Sequence, residues 1–100
     1  MDLKVDESII QDSVETWGPE KQSVVCMEEC AELIQQISKC IRGKEDKKHL
    51  TEEVADVIIS IHILKQIYDL HEDELQQFIW EKQNRTDLRI QKEKKDGQRN

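Results

Sequence analysis

Apolar side chains recur every three or four residues along most of the chain, the spacing that places them on one side of an α-helix. The pattern predicts four helices, at about residues 6–16, 19–42, 48–69 and 72–91. Gly18 and Pro19 separate the first two, because glycine suits a helix end and proline suits a first turn. Thr51 is a candidate cap for a slightly later start of the third helix. Residues 92–100 are polar, so we expect a frayed tail behind a folded core of about residues 6–91.

The composition favours an all-α fold in a single domain, residues 1–100. The sequence has only 3 glycines and 1 proline, and aromatic residues make up 4%. So few turn residues, among many Glu, Lys and Gln, are typical of helices rather than of a sheet. The third predicted helix is apolar around roughly two-thirds of its circumference. Because a chain this short covers a limited part of its own surface, we expect a homo-oligomer, a dimer or a tetramer.

Charge and cysteine usage exclude several classes of protein. The net charge of −7 argues against a partner that is a nucleic-acid polymer, since binding to one needs a basic face. The apolar runs are too short to cross a membrane, so no membrane partner is expected. Cys26, Cys30 and Cys40 all lie in one predicted helix, and the sequence carries no signal peptide. We interpret the three as reduced, small hydrophobic side chains of a cytoplasmic protein.

The main candidate chemistry is a set of acidic residues within apolar helices. Glu29 and Glu32 are three residues apart on the second predicted helix, as are Glu53 and Asp56 on the third, and Glu28 precedes the first pair. Residues three apart leave a helix on the same side. Packing the two helices together would bring four carboxylates out of bulk water, where like charges repel and unpaired charge is costly. A divalent cation that prefers oxygen ligands, such as Mg²⁺, resolves this conflict.

The helical wheels favour buried acids over solvated ones. Glu53 and Asp56 lie within the apolar arc of the third helix, beside Ile63 and Ile67, and Glu29 lies at the edge of the apolar arc of the second. A second interpretation is that Glu28, Glu29 and Glu32 are surface charges at a helix edge and that Glu53 only favours the helix N-terminus. Acidic pairs on both helices together favour the first interpretation, in which the acids need a partner.

The fourth predicted helix carries the opposite charge. Its apolar stripe continues towards the C-terminus as Lys82, Arg85 and Arg89, at positions i, i+3 and i+7. A cationic stripe that extends from a packed face can hold phosphate groups. The alternative is a solvated helix end that pairs with Glu81 and Asp87.

Together these motifs resemble one family. The residues that carry the resemblance are Trp17-Gly18, Gln22, Glu28-Glu29-Cys30-Ala31-Glu32-Leu33, Glu53-Val54-Ala55-Asp56-Val57, Lys82 and Arg85-Thr86. In this order and spacing they resemble the MazG-like nucleotide pyrophosphohydrolases of the all-α NTP pyrophosphatase superfamily. The resemblance covers roughly residues 9–90 and is closest to the small, single-domain members found in bacteria and their phages.

The resemblance implies a four-helix MazG-like bundle, homo-oligomers and dependence on Mg²⁺, for which Mn²⁺ is a substitute. The implied reaction is NTP + H₂O → NMP + pyrophosphate, on ribo- or deoxyribonucleotides, as house-cleaning of the nucleotide pool. No base-reading residue can be identified from the sequence. The substrate partner is therefore a small nucleotide whose base is left open.

The resemblance also implies a role for each matching residue. The metal ligands would be Glu29, Glu32, Glu53 and Asp56. Glu28 joins them as a catalytic residue that supports the ligands, holds a second metal ion or activates water. Phosphate contacts would come from Lys82 and Arg85, and the basic stripe adds Arg89. The nucleotide pocket would include Trp17 and Gln22.

Two other functions stay open at this point. The chain could be a non-catalytic helical interaction module whose acids pair with basic residues of a partner. It could also be a relative of phosphoribosyl-ATP pyrophosphohydrolase. A di-iron bundle is disfavoured because the chain lacks Glu-x-x-His on a core helix. His49, His62 and His71 are expected in a loop, on a polar face and at a helix boundary, and we predict no role for them.

Overall fold

The computed structural model describes residues 2–98 and contains four α-helices. They are α1 (Glu7–Trp17), α2 (Pro19–Ile41), α3 (Lys47–Tyr68) and α4 (Glu72–Gly97). No strand occurs between residues 2 and 98, so the all-α prediction is confirmed. The chain divides into two compact units: α1, α2 and α3 belong to the first, which ends at Asp69, and α4 belongs to the second, which begins at Leu70.

The helix ends follow local chemistry, with two departures from the prediction. Gly18 has φ +88°, a backbone conformation that favours glycine, and it separates α1 from α2 as expected. The cap of α3 is Asp46 and not Thr51, because an Asp46 side-chain oxygen accepts the His49 N–H at 3.1 Å. The Thr51 hydroxyl instead donates to the Lys47 carbonyl oxygen, 2.7 Å away, inside the helix.

The second departure is at the end of α4. This helix reaches Gly97, past the predicted end near residue 91, because the Lys and Glu residues at 92–95 are good helix formers. Residues 99 and 100 of the predicted frayed tail lie outside the described residues.

α2 and α3 form an antiparallel pair. The start of α2 meets the end of α3, where the Ser23 and Tyr68 hydroxyls are 2.8 Å apart. One turn further along α2, the Cys26 thiol donates to the Ser60 carbonyl oxygen at 3.6 Å. Continuing in this direction, the middle of α2 lies opposite the first half of α3, which carries Glu53 and Asp56. The antiparallel pairing therefore places the two acidic motifs at the same level.

The buried apolar core is small and lies at one end of this pair. Its centre is Ile10 from α1, Cys26 from α2 and Ile63 from α3. α1 is also joined to α3 at the surface, where His62 Nδ1 lies 2.5 Å from Glu7 Oε1. The apolar end of the pair is thus closed by α1.

Part of the apolar arc of α2 is not buried. Met27 is 69% exposed and Ile34 is 66% exposed. The buried and half-buried residues of α2 include a narrower seam with a spacing of three and four residues, formed by Gln22, Cys26, Glu29, Leu33, Gln36 and Cys40; Ser23 and Val25, near the start of the helix, are also half-buried. A single neighbouring helix covers only such a seam, so the other apolar side of α2 stays exposed.

Between residues 2 and 98, none of the helices combines the length and apolar character that crossing a membrane requires.

Candidate metal centre

Three carboxylates from two helices converge in the first unit. Glu29 from α2 and Glu53 and Asp56 from α3 each contribute one oxygen, and these three oxygens lie within 4.8 Å of one another. Glu53 and Asp56 share a side of α3 because they are three residues apart. Glu29 reaches them because it lies on the seam of α2 that faces α3. The predicted convergence of acids from both motifs is present for these three residues.

Two carboxylate oxygens of this cluster lack a hydrogen-bond donor. Glu53 is only 7% exposed, and its Oε2 is buried without a hydrogen-bond donor. Glu29 Oε2 is likewise buried without a donor. A buried carboxylate oxygen without a partner is costly, because its desolvation is not compensated. Two such atoms in one cluster are an arrangement that a cationic partner would stabilise.

The electrostatics of Glu29 reflect this lack of compensation. Burial raises the pKa of the Glu29 carboxyl from its usual 4.5 to about 7. The neighbouring Asp56 carboxylate adds to the shift, by charge repulsion and by sharing a hydrogen bond with the protonated form. The charges of Glu32 and Glu53 act in the same direction. Without a cation, Glu29 therefore holds a proton close to neutral pH.

The other two acids of the first motif are more exposed. Glu32 lies next to Glu53, and the Glu53 charge is the main reason why the pKa of Glu32 is raised. Both Glu32 and Glu28 are exposed, and neither belongs to the group of three converging oxygens. Glu32 is thus at the rim of the cluster, and the ligand role predicted for it, like the catalytic role of Glu28, stays a prediction.

The residues present suit a hard divalent cation. The converging donors are all carboxylate oxygens, which Mg²⁺, Mn²⁺ and Ca²⁺ prefer over nitrogen or sulfur ligands. The orphaned oxygens of Glu29 and Glu53 would gain the partner that they lack. The donor atoms of the cluster are therefore chemically suited to such a cation.

A small polar pocket adjoins the cluster on the side of Glu53. It has a volume of 260 Å³ and is lined by Glu32, Gln35, Gln36, Lys39, His49 and Glu53. His49 Nε2 is 3.2 Å from Glu53 Oε1. The expectation that His49 lies in a loop is wrong, because α3 begins at Lys47 and so includes His49 in its first turn. In the sequence, the spacing of four residues between His49 and Glu53 indicates that the two side chains share one side of a helix.

The predicted nucleotide-pocket residues are neighbours in the structure. Trp17 and Gln22 line one pocket of 370 Å³, together with Lys21 and Val25. Gln22 is buried, whereas Trp17 is 55% exposed. Val25 precedes Glu29 by one helical turn, so this pocket and the acidic cluster share one side of α2. A role in nucleotide binding stays a prediction.

The predicted phosphate-binding residues lie on α4, in the second unit. Lys82, Arg85 and Arg89 are all exposed. Their spacing places them along one side of the helix. The Thr86 hydroxyl donates to the Lys82 carbonyl oxygen at 3.0 Å and so stays within the helix backbone. Their contact with phosphate stays a prediction.

The fold is all-α, and acids from two of its helices converge in one cluster. Residues 18–87 match the family model of the MazG nucleotide pyrophosphohydrolase domain. The match covers more than half of the chain, so this protein belongs to that family. It contains all five acids of the two motifs, as well as Lys82 and Arg85, while Trp17 and Arg89 lie just outside it. No curated protein and no solved structure matches the chain.

Proposed function

We propose that this protein is a Mg²⁺-dependent nucleoside triphosphate pyrophosphohydrolase that converts an NTP or a dNTP and water into the monophosphate and pyrophosphate. The observation that carries the proposal is the cluster of Glu29, Glu53 and Asp56, with two buried oxygens that lack a partner. Membership of the MazG family supports the reaction class. A solvated charged surface would not bury these oxygens.

In this proposal the acidic residues hold the metal. Glu29, Glu53 and Asp56 are the inner ligands, and Glu32 joins them from the rim. When bound, Mg²⁺ would neutralise charge on the triphosphate and lower the pKa of water at the site. Glu28 remains in the catalytic set as an exposed acid beside Glu29. Mn²⁺ is the expected substitute, because it accepts the same oxygen ligands.

The remaining candidates would bind the substrate. Lys82, Arg85 and Arg89 would hold the phosphate groups and stabilise the departing pyrophosphate. Water attacks the α-phosphorus, the bond from that phosphorus to the bridging oxygen breaks, and pyrophosphate leaves. Trp17 and Gln22 would border the nucleotide, since their pocket lies on the same side of α2 as Glu29.

We further propose that the active form is a homo-oligomer. The exposed apolar side of α2 has a spacing of three, four and seven residues and consists of Val24, Met27, Ala31, Ile34 and Ile41. Part of it borders an apolar groove of 470 Å³ that also includes Leu64 and Tyr68 from α3. A helix stripe of this spacing suits a second copy of the same helix.

The proposed biological role is removal of unwanted nucleotides in the cytoplasm. All three cysteines, Cys26, Cys30 and Cys40, are free thiols. Free thiols are typical of a reducing compartment, in which nucleotide pools are also found. No base-reading residue can be identified from the sequence, and the proposal covers ribo- and deoxyribonucleotides alike.

The function is tested by a substrate screen. Purified protein is incubated with Mg²⁺ and each common NTP and dNTP, and the products are separated and quantified. The proposal expects equal amounts of monophosphate and pyrophosphate from at least one substrate, and no turnover with EDTA. Release of inorganic phosphate and a diphosphate, or no turnover of any nucleotide, would contradict it.

A further inference from the structure

The two oxygens of the Glu53 carboxylate have different surroundings. Oε1 lies 3.2 Å from Nε2 of His49. Oε2 is buried and has no hydrogen-bond donor near it. One oxygen is thus held by a neighbour within the protein, while the other is left for a partner that the protein does not supply.

His49 is held in place by the start of α3. Its backbone N–H donates to Asp46 Oδ1 at 3.1 Å, in the cap of the helix. It precedes Glu53 by four residues, so the two side chains lie on the same side of α3. The His49 side chain is 47% exposed and the Glu53 side chain only 9%. His49 is therefore the outer member of the pair, and Glu53 is the inner one.

A carboxylate ligand benefits from such an outer partner. The last torsion of a Glu side chain is broad, so a free carboxylate samples many orientations. A hydrogen bond to one oxygen restricts this torsion and keeps the other oxygen in a constant direction. Carboxylates that bind metals are commonly held in this way, and loss of the outer partner weakens metal binding about 10–100-fold.

We propose that His49 is a positioning residue for Glu53: its Nε2–H donates to Glu53 Oε1, so that Glu53 Oε2 remains available to a divalent cation. This inference rests on the proposed function, because it assigns Glu53 to the metal. His49 itself is not a ligand, since its ring nitrogen is engaged with Glu53 and the converging donors are the three carboxylates. The assignment extends the metal centre to the first turn of α3.

The test compares Mn²⁺ affinity among three variants of the full chain, measured from the EPR signal of the free ion. His49→Leu removes the donor, and His49→Gln restores an N–H donor on a side chain of similar length. His62→Leu is the matched control, since it removes a histidine of the same helix that bonds to Glu7 instead. Thermal unfolding without metal shows whether each variant folds. If His49→Leu does not fold, His49→Met replaces it as the variant without a donor.

The inference expects His49→Leu to weaken Mn²⁺ binding by about tenfold or more, with His49→Gln close to wild type and His62→Leu unchanged. If His49→Leu binds Mn²⁺ as wild type does, the role of His49 is overturned while the metal centre stands. If His49→Gln binds Mn²⁺ as weakly as His49→Leu does, the proposed positioning of Glu53 through a hydrogen bond is overturned. If the wild-type protein binds no Mn²⁺, the proposed metal centre fails, and the role of His49 fails with it.

Discussion

Glu29 on α2 and Asp56 on α3 share a small cluster in which their charges repel each other. Burial raises the pKa of Glu29 to about 7, and the Asp56 carboxylate adds to that shift. Two helices that pack through such a contact are destabilised locally whenever both groups are ionised. The cluster thus lowers the stability of the fold, which is typical of functional sites.

The first prediction concerns pH. Between pH 4.5 and about 7, the folded protein keeps a proton on Glu29 that the unfolded chain has already lost. The folded state then binds more protons than the unfolded state, so this residue's contribution to stability falls as the pH rises through that range. Without metal, Glu29→Gln should therefore raise Tm relative to wild type more at pH 8 than at pH 5. Thermal unfolding in EDTA at both pH values measures the difference, and an equal effect at the two would contradict the raised pKa of Glu29.

The second prediction concerns the balance between stability and metal binding. Asp56→Asn removes one charge from the cluster, so it should leave the metal-free protein as stable as wild type or more stable. It should also reduce the stabilisation that added Mg²⁺ gives, because a ligand is lost. Glu52→Gln, an exposed neighbour on the same helix, is the control and should behave as wild type. A Tm rise with Mg²⁺ in Asp56→Asn as large as that in wild type would exclude Asp56 as a ligand.

The third prediction concerns the cap of α3. Asp46→Ala should lower stability by about 1 kcal/mol, because the His49 N–H loses its acceptor. The neighbouring acid Glu45 provides the control, and Glu45→Ala should have a much smaller effect. Urea unfolding at neutral pH gives the comparison. Equal losses for the two variants would indicate that general charge, and not the cap, is responsible.

The fourth prediction concerns assembly. Ile34→Lys places a charge in the exposed apolar stripe of α2, so it should shift the protein towards the monomer in sedimentation experiments. Ile9→Lys is a matched control, since Ile9 is similarly exposed but lies on α1, outside the stripe. A wild-type monomer at micromolar concentration, or equal behaviour of the two variants, would argue against the stripe as the interface.

The sequence predicted the acidic cluster because its acids interrupt apolar arcs. Glu53 and Asp56 stand where a solvated charge does not belong, and helix periodicity alone reveals that. The exposure of Glu32 was harder to predict. Glu29 and Glu32 lie on the same side of α2, but the seam that faces α3 continues from Glu29 to Leu33 and leaves Glu32 exposed. Residues three apart do not lie at the same angle around a helix, so one can be packed while the other is exposed.

Two other features could not be read from the pattern. Met27 and Ile34 are apolar, but periodicity does not tell which partner covers an apolar side or whether the same chain supplies it. His49 was assigned to a loop, although the helix predicted from about residue 48 already includes it, because Thr51 was considered as the cap of a later start. Placing the cap at Asp46 brings His49 into the helix and within one turn of Glu53.

The most direct test of the central claim is the release of pyrophosphate by wild type, Asp56→Asn and Glu52→Gln at saturating Mg²⁺, with the best nucleotide from the screen. If Glu29, Glu53 and Asp56 form the proposed metal centre, wild type and Glu52→Gln should each release monophosphate and pyrophosphate in equal amounts. The same metal centre predicts loss of activity by at least about 100-fold in Asp56→Asn, with the fold intact. Activity of Asp56→Asn equal to that of wild type would contradict the account.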